Sequence, residues 1–329
     1  MNVLVTGGCG FIGSGFCRWI LKNYPQHKIV NLDALHYNAS KSGDLVTSTE
    51  NYRFVHGDLK DFDVVLKTLR DNNITAIVNF AAQSHVDNSF SNALAFTYDN
   101  VIGTQTLLEA SKVYHLESKR LTKFLHISTD EVYGENTGSE HTELSLLKPT
   151  NPYAASKAAA EMYVYSYQKS YGLPIVTIRS NNIYGPGQYP EKVIPKFISQ
   201  LMKGEKLTLQ GSGLQSRSFL YIDDAVSAIY HVLTGGQIGE VYNISSRDEV
   251  TIRDLARHLI RLVKGQEAVN LDDEMIGIAD RDFNDCRYWI VSEPLKALGW
   301  HQEMDFEDGL KKTIAWYQNV DYQNYWMKG

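Results

Sequence analysis

A tyrosine and a lysine four residues apart, in Tyr153-Ala-Ala-Ser-Lys157, are a pair that could move a proton in this 329-residue chain. They follow Pro152, which suits the first turn of a helix because it brings no N–H to leave unpaired. On that helix the two side chains share a face, with Cβ atoms about 5–6 Å apart. A phenol ionises near neutral pH only if its anion is stabilised by about 4 kcal/mol, the cost of bringing it down from an ordinary value near 10. One ammonium at about 5 Å, in an effective dielectric of about 20, supplies roughly 3 kcal/mol. A second cation, such as an oxidised nicotinamide ring, would supply the rest. Because YxxxK also arises by chance in helices, the pair needs a cofactor beside it.

The amino terminus offers a place for one. Met1-Asn-Val-Leu-Val-Thr-Gly-Gly-Cys-Gly-Phe-Ile-Gly13 reads as an apolar strand running into glycines, followed by an amphipathic helix to about Tyr24. Gly7, Gly10 and Gly13 permit a tight turn and close backbone approach to a pyrophosphate, which the N–H groups and dipole of the helix attract. Twenty residues after Gly13 stands Asp33, ending the next strand, Lys28–Asp33. An acid there hydrogen-bonds a ribose 2′-hydroxyl and repels a 2′-phosphate, so the spacing predicts NAD rather than NADP. Asp58 and Leu59, after the strand Tyr52–His56, are candidates for the adenine side.

Two adjacent carboxylates stand in Phe124-Leu-His-Ile-Ser-Thr-Asp-Glu-Val-Tyr-Gly134, where a short apolar strand stops in polar residues. A regular strand would point Asp130 and Glu131 to opposite faces, so if both act on one substrate the backbone must leave strand geometry here. Further on, Arg217 and Arg287 could fork onto a diphosphate.

The elements that must hold these groups alternate. After Asp58 come a helix from about Asp61 to Asp71, the strand Ala76–Phe80, the loop Ala81–Asp87 and a long helix from about Asn92 to Tyr114. The strand Lys123–Ile127, a polar segment from Glu135 to Thr150, the Tyr153 helix to about Tyr171 and the strand Pro174–Arg179 follow. Such alternation predicts an α/β fold, a doubly wound parallel sheet with ligands over the carboxyl ends of its strands. Beyond Arg179 a turn-rich stretch, Asn181–Lys192, opens a second, smaller α/β lobe. Its elements are a helix over about Lys192–Lys203, short strands near Leu207 and Phe219, and a helix over Thr251–Lys264 with Thr251 as N-cap. Residues 1–180 form the expected cofactor domain and 181–329 the substrate lobe, with 219–245 returning to the first sheet.

Composition sets bounds. A net charge of −6, with no basic run, gives no support to a nucleic acid partner. Cys9, Cys17 and Cys286 lack metal-ligand spacing and cannot all pair, which points to a reducing compartment and no metal. No apolar stretch approaches the length of a membrane span and Met1 leads straight into a strand, so the chain reads as cytoplasmic.

TGGCGFIG, the Ala81–Asp87 loop, STDEVYG, YAASK, NNIYGPGQYPEKVIP, SRSFLY and NDCRY occur in order over almost the whole chain. In these motifs the chain resembles the extended short-chain dehydrogenase/reductases and, within them, the nucleoside-diphosphate-glucose 4,6-dehydratases acting on dTDP-glucose or UDP-glucose. The paired acids Asp130 and Glu131 are the most specific feature, since 4-epimerases of the superfamily do not carry both. The chain departs from the family pattern at Gln83 (more often Glu), near Asp99 (where the loop usually offers Thr) and at Asp282 (more often Pro).

The resemblance implies a mechanism. Tyr153, as phenolate and assisted by Lys157 and Thr129, takes the proton of the sugar 4-hydroxyl while NAD accepts hydride from carbon 4. Lys157 lowers the Tyr153 pKa and holds the nicotinamide ribose. Glu131 removes the carbon-5 hydrogen, Asp130 protonates the departing 6-hydroxyl, and hydride returns to carbon 6. Phe11, Ile12, Asp33, Asp58, Leu59 and Ala81 would contact NAD. Ser84, Thr129, Asn182, Lys192, Arg217, Asn284, Arg287 and Tyr288 would contact the sugar nucleotide. The family also implies a homodimer through the Asn92–Tyr114 and Tyr153–Tyr171 helices, which carry surplus aromatics including Tyr163, Tyr165 and Tyr167. The alternatives are a 4-epimerase or decarboxylase on the same fold, and a non-catalytic NAD-sensing module.

Overall fold

Apolar runs too continuous for a half-exposed sheet make most of the first strands, the partly exposed edge strand Tyr52–His56 excepted. These first strands are β1 (Asn2–Thr6), β2 (Lys28–Asp33), β3 (Tyr52–His56), β4 (Ala76–Asn79), β5 (Lys123–Thr129) and β6 (Ile175–Ser180). The structure, a computed structural model, describes residues 1–40, 50–136, 138–265, 270–281 and 283–327. Asp282 lies outside the described residues. Later in the chain come β7 (Asn182–Tyr184), β8 (Leu207–Gln210), β9 (Ser216–Tyr221), β10 (Val241–Ile244), β11 (Glu249–Thr251) and β12 (Met275–Ile278).

Among the described residues, seven strands form one sheet in the order β10-β6-β5-β4-β1-β2-β3, each neighbouring pair parallel. The strand order reverses between β1 and β4, the switch point where such sheets open a crevice for ligands. Successive strand residues feed opposite layers, as the pleat requires. Val3, Val5, Leu125, Ile127, Val176 and Ile178 share a core with Phe16, Ile20, Val226 and Ile229. Leu4, Phe124 and Ile175 face the other side, against Leu66, Leu69, Leu107, Leu108 and Val164. β10 joins the edge at β6, pairing Val241 with Thr177, and the Ile222–Gly235 helix before it packs on the Phe11–Asn23 helix.

The first of these cores continues into the rest of the chain through Phe197, Ile198, Leu255, Leu259 and Leu310. Each such fully buried side chain contributes about 1.5–3 kcal/mol by leaving water. Here β9 joins β7 and β11, and β8 pairs with β12. The sequence showed β8 and β9 as short strands, but not that the tail supplies a strand to β8.

Local chemistry sets the helix starts. Asp61 and Thr251 cap their helices through side-chain oxygens that accept from Val64 N–H and Asp254 N–H. The expected long helix over Asn92–Tyr114 runs instead as Ala93–Phe96, a wider π-helical stretch Thr97–Ile102, and Gly103–Ser118. The wide turn carries Asn100, whose amide accepts from Gln83 N–H at 2.7 Å and donates to the Gln83 carbonyl at 3.0 Å and to Ser156 Oγ at 2.8 Å. One side chain thereby fixes the loop after β4 to the Tyr153 helix, a use typical of π-bulges. Among the described residues, no helix is long and apolar enough to cross a membrane.

Candidate active site

The turn after β1 is shaped for close approach. Gly7 has a positive φ of 71°, and a Cβ there would stand 2.8 Å from the Ala81 backbone; a Cβ at Gly13 would collide with the Gly7 carbonyl. Gly10 caps the Phe11–Asn23 helix with no side-chain acceptor, so first-turn N–H groups remain available to an anion. At the end of β2, Asp33 Oδ2 accepts from Cys9 N–H and Oδ1 from Leu35 N–H, both at 2.8 Å. That fixes both oxygens and leaves lone pairs for a ribose diol. The turn, the open helix start and the acid together fit a dinucleotide.

At the end of β5 the backbone does what the paired acids demand. The strand stops at Thr129 and Asp130–Tyr133 form a 3₁₀ turn, Thr129 Oγ1 accepting from Glu131 N–H at 3.3 Å. Asp130 is 3% exposed, with Asn181 Nδ2 donating to its Oδ2 at 2.7 Å and Thr129 Oγ1 to its Oδ1 at 3.2 Å. Burial, and then the Glu131 charge, push its carboxyl from 3.8 up to about 7. Glu131 is also raised by burial, while the Asn151 bond and the charges of Arg217 and Lys192 draw it back. Asn151 has two tasks: Oδ1 accepts from Ala154 N–H at 2.8 Å, starting the Pro152–Tyr171 helix, and Nδ2 donates to Glu131 Oε2 at 3.0 Å.

That helix presents Tyr153 and Lys157 to the same cleft. Burial and the Glu131 charge raise the Tyr153 phenol above its ordinary value, against a hydrogen bond with Thr129. Lys157 Nζ donates to the Ile127 carbonyl at 2.6 Å, and burial brings the ammonium down to about 8. The β5 carbonyl takes one of the three ammonium donors and leaves two for other partners. A cation brought into the cleft would favour the Tyr153 phenolate further.

On the far side, Lys192 Nζ donates to the Ser84 carbonyl at 2.5 Å, and Arg217 reaches Asn284 Oδ1 at 3.2 Å while stacking 4.8 Å from the Tyr288 ring centre. These residues and Asn182 surround a cavity of about 450 Å³ that extends from the glycine turn to Arg281. Gly7, Gly10, Phe11, Ile12, Gly13, Asp33, Asp58, Leu59, Ala81, Ser84, Thr129, Glu131, Tyr153 and Lys157 line the same cavity. Two expected residues do not. Asp130 lies behind Thr129 and Asn181. Arg287 donates from Nε and Nη2 to the Glu249 carboxylate at 2.6 Å each and covers the Trp289 ring, so in this structure its guanidinium faces Glu249 rather than the cleft. A bidentate carboxylate satisfies that guanidinium elsewhere. Arg281 is the second arginine at the cleft, held by Asp87 and Gln210 at 3.0 Å each.

Asn151 and Asn181 were missed by sequence reasoning, while Asn100 and Arg281 were read without a role. Only Asn151 had a readable signal, an N-cap residue directly before a helix-starting proline. The departures from the family pattern at Gln83 and near Asp99 meet: Gln83 Nε2 donates to Asp99 Oδ2 at 2.9 Å, and Lys60 bonds both Asp99 and Asp58.

A sequence model of the family described as GDP-mannose 4,6 dehydratase matches residues 4–313. The chain is 46% identical over 319 residues to the dTDP-D-glucose 4,6-dehydratase of Mus musculus, covering 96% of this chain and 88% of that protein. It is 45% identical over 326 residues to a trifunctional UDP-glucose 4,6-dehydratase/UDP-4-keto-6-deoxy-D-glucose 3,5-epimerase/UDP-4-keto-L-rhamnose-reductase of Arabidopsis thaliana. That match covers 98% of this chain, which spans only 48% of the plant protein. Among solved structures, the dTDP-glucose 4,6-dehydratase DesIV of Streptomyces venezuelae, crystallised with NAD, superposes with a TM-score of 0.90 at 39% identity, covering 97% of each chain.

Proposed function

The chain belongs to the GDP-mannose 4,6 dehydratase family, and from that premise we propose that it is an NAD-dependent hydro-lyase. Its reaction converts dTDP-glucose or UDP-glucose to the 4-keto-6-deoxy sugar nucleotide and water. The observation that carries this reading is the acidic pair after β5: Asp130 buried and pushed up to about 7, Glu131 open to the cleft beside Tyr153. An epimerase has no use for an acid at that place.

NAD, when bound, supplies an internal hydride relay from carbon 4 of the sugar to carbon 6. The glycine turn, the helix start at Phe11 and Ile12, and Asp33, Asp58, Leu59 and Ala81 would hold it, with Lys157 at its ribose. Tyr153 takes the proton of the 4-hydroxyl, and Thr129 hydrogen-bonds the same group. Once carbon 4 is a ketone, the carbon-5 hydrogen is acidic and Glu131, oriented by Asn151, removes it. Asp130, held by Asn181 and Thr129 and half-protonated near pH 7, is the source of the proton for the departing 6-hydroxyl. Lys192, Arg217 and Asn284 bind the nucleotide diphosphate, with Ser84, Asn182 and Tyr288 beside the sugar.

Residues 1–180, with the Ile222–Gly235 helix and β10, serve as the cofactor domain and the rest as the sugar-nucleotide lobe, since residues 219–221 belong to β9 in the second sheet. Exposed Met162, Tyr163 and Tyr165 on one helix and Leu94, Tyr98 and Ile102 on its neighbour suit a twofold, four-helix dimer contact. Tyr167 does not belong to that face; it is buried and donates to Glu109 at 2.7 Å. Three free cysteines suit a reducing, cytoplasmic setting. Incubation with each sugar nucleotide, read by the alkaline absorbance of 4-keto sugars and by absorbance at the NADH band, tests the function. Product without NADH build-up is expected; NADH rising in step with product would overturn the internal relay.

A further inference from the structure

Behind Glu131 lies a carboxylate that the reaction as described does not use. Asp285 is 2% exposed. Thr150 Oγ1 stands 2.9 Å from both its oxygens, and the Tyr288 hydroxyl donates to Oδ2 in a short bond. On its other side the Tyr288 oxygen stands 3.5 Å from Glu131 Oε2. A buried carboxylate needs donors, and a phenol has one proton to give. Thr150 has only one as well, so the Tyr288 proton is committed to Asp285. The phenol oxygen then meets the Glu131 carboxylate as acceptor facing acceptor, which accounts for the long 3.5 Å separation.

We propose that Asp285 is a positioning residue that acts through Tyr288 on Glu131, keeping the phenol oxygen free to accept the proton that Glu131 takes from carbon 5. The inference rests on the dehydratase reading. In the step concerned, the carbon-5–hydrogen bond breaks and its electron pair moves onto the 4-ketone as an enolate. The proton bonds to Glu131 Oε2, and the new O–H donates to the Tyr288 oxygen. The enolate electrons then expel the 6-hydroxyl with the Asp130 proton, and Glu131 later returns its proton to carbon 5. Tyr288 thus binds the protonated form of Glu131 and offers nothing to its anion, which strengthens the base. Other groups act on Glu131 from each packed element. Asn151, Arg217 and Lys192 favour its anion, whereas the Asp285 charge opposes it, and Asp130 and Tyr153 share its field.

Asp285→Asn reverses the arrangement. With the amide oxygen turned to Thr150, its N–H₂ donates to the Tyr288 oxygen, and the phenol proton swings to Glu131 and stabilises the anion. The acidic limb of turnover against pH should move down by about one unit, and deuterium uptake at carbon 5 from heavy water should slow about tenfold, the equivalent of about 1.4 kcal/mol. KM and the first oxidation, read as single-turnover NADH absorbance, should be unchanged. Tyr288→Phe, which removes the acceptor altogether, should slow the exchange at least as much. An unmoved pH limb with parental exchange in Asp285→Asn would overturn the proposal. So would equal losses in oxidation, KM and exchange, which mark a merely structural residue, or normal exchange in Tyr288→Phe. Parental protein that exchanges no carbon-5 hydrogen would overturn the dehydratase reading and this inference with it.

Discussion

Replacing Asp130 with Asn should cost activity and add stability, and the structure sets the size and pH range of the gain. The Asp130 carboxyl is pushed from 3.8 up to about 7 by burial and by Glu131. Below pH 3.8 it is protonated in both the folded and unfolded chain and has no effect. Between 3.8 and 7 the unfolded chain gives up a proton that the folded chain keeps, so stability drains as pH rises. Above 7 the loss is complete, at about 4 kcal/mol. The Asn side chain cannot ionise, and its carbonyl oxygen can still accept the Asn181 N–H that bonds Oδ2 at 2.7 Å. Asp130→Asn should therefore be more stable than the parent by up to about 4 kcal/mol at pH 8, and by less than half that at pH 5. Urea unfolding at the two pH values measures the gap. The same variant should complete the first oxidation and then stall before loss of water. A variant no more stable than the parent at pH 8, a gap independent of pH, or water loss at the parental rate would refute the reasoning.

Tyr153→Phe should slow the first oxidation by about 10²–10⁴-fold with little change in sugar-nucleotide binding, as single-turnover absorbance and titration would show. Parental oxidation by that variant would remove Tyr153 from the proton transfer. Arg217→Ala should raise KM for the sugar nucleotide about tenfold or more, since a hydrogen bond to a charged group is worth about 1.5–3 kcal/mol, while kcat falls less; an unchanged KM would take Arg217 off the diphosphate. Sedimentation at micromolar concentration should give the mass of two chains, and Tyr165→Asp, placed on the exposed helix face, should shift it towards one.

What the sequence revealed, and what it hid, divides along a physical line. Strands β1, β2, β4, β5 and β6 were legible because burial on both faces leaves unbroken apolar runs, and the glycine turn because steric space at Gly7 and Gly13 admits nothing larger. The break after Thr129 followed from the adjacency of two acids. Contacts set by distant segments were hidden. The spacing of Tyr153 and Lys157 fixes their shared helix face but not that the ammonium turns to the Ile127 carbonyl. Likewise, Arg287 is a cation in any sequence, and only the β9–β11 pairing puts Glu249 where it captures that charge. The π-helical turn at Asn100 follows from side-chain bonds to a loop seventeen residues away, which no local period records.

The central claim is an internal relay, in which the hydrogen lost from carbon 4 becomes a hydrogen of carbon 6 in the same molecule. The direct measurement is turnover of dTDP-glucose and UDP-glucose deuterated at carbon 4, with the product analysed by proton NMR. The product should be a 4-keto-6-deoxy sugar nucleotide carrying the label in its carbon-6 methyl group. A 4-epimer retaining deuterium at carbon 4, or a 4-keto product whose label has passed to a pool of free NADH, would contradict the relay.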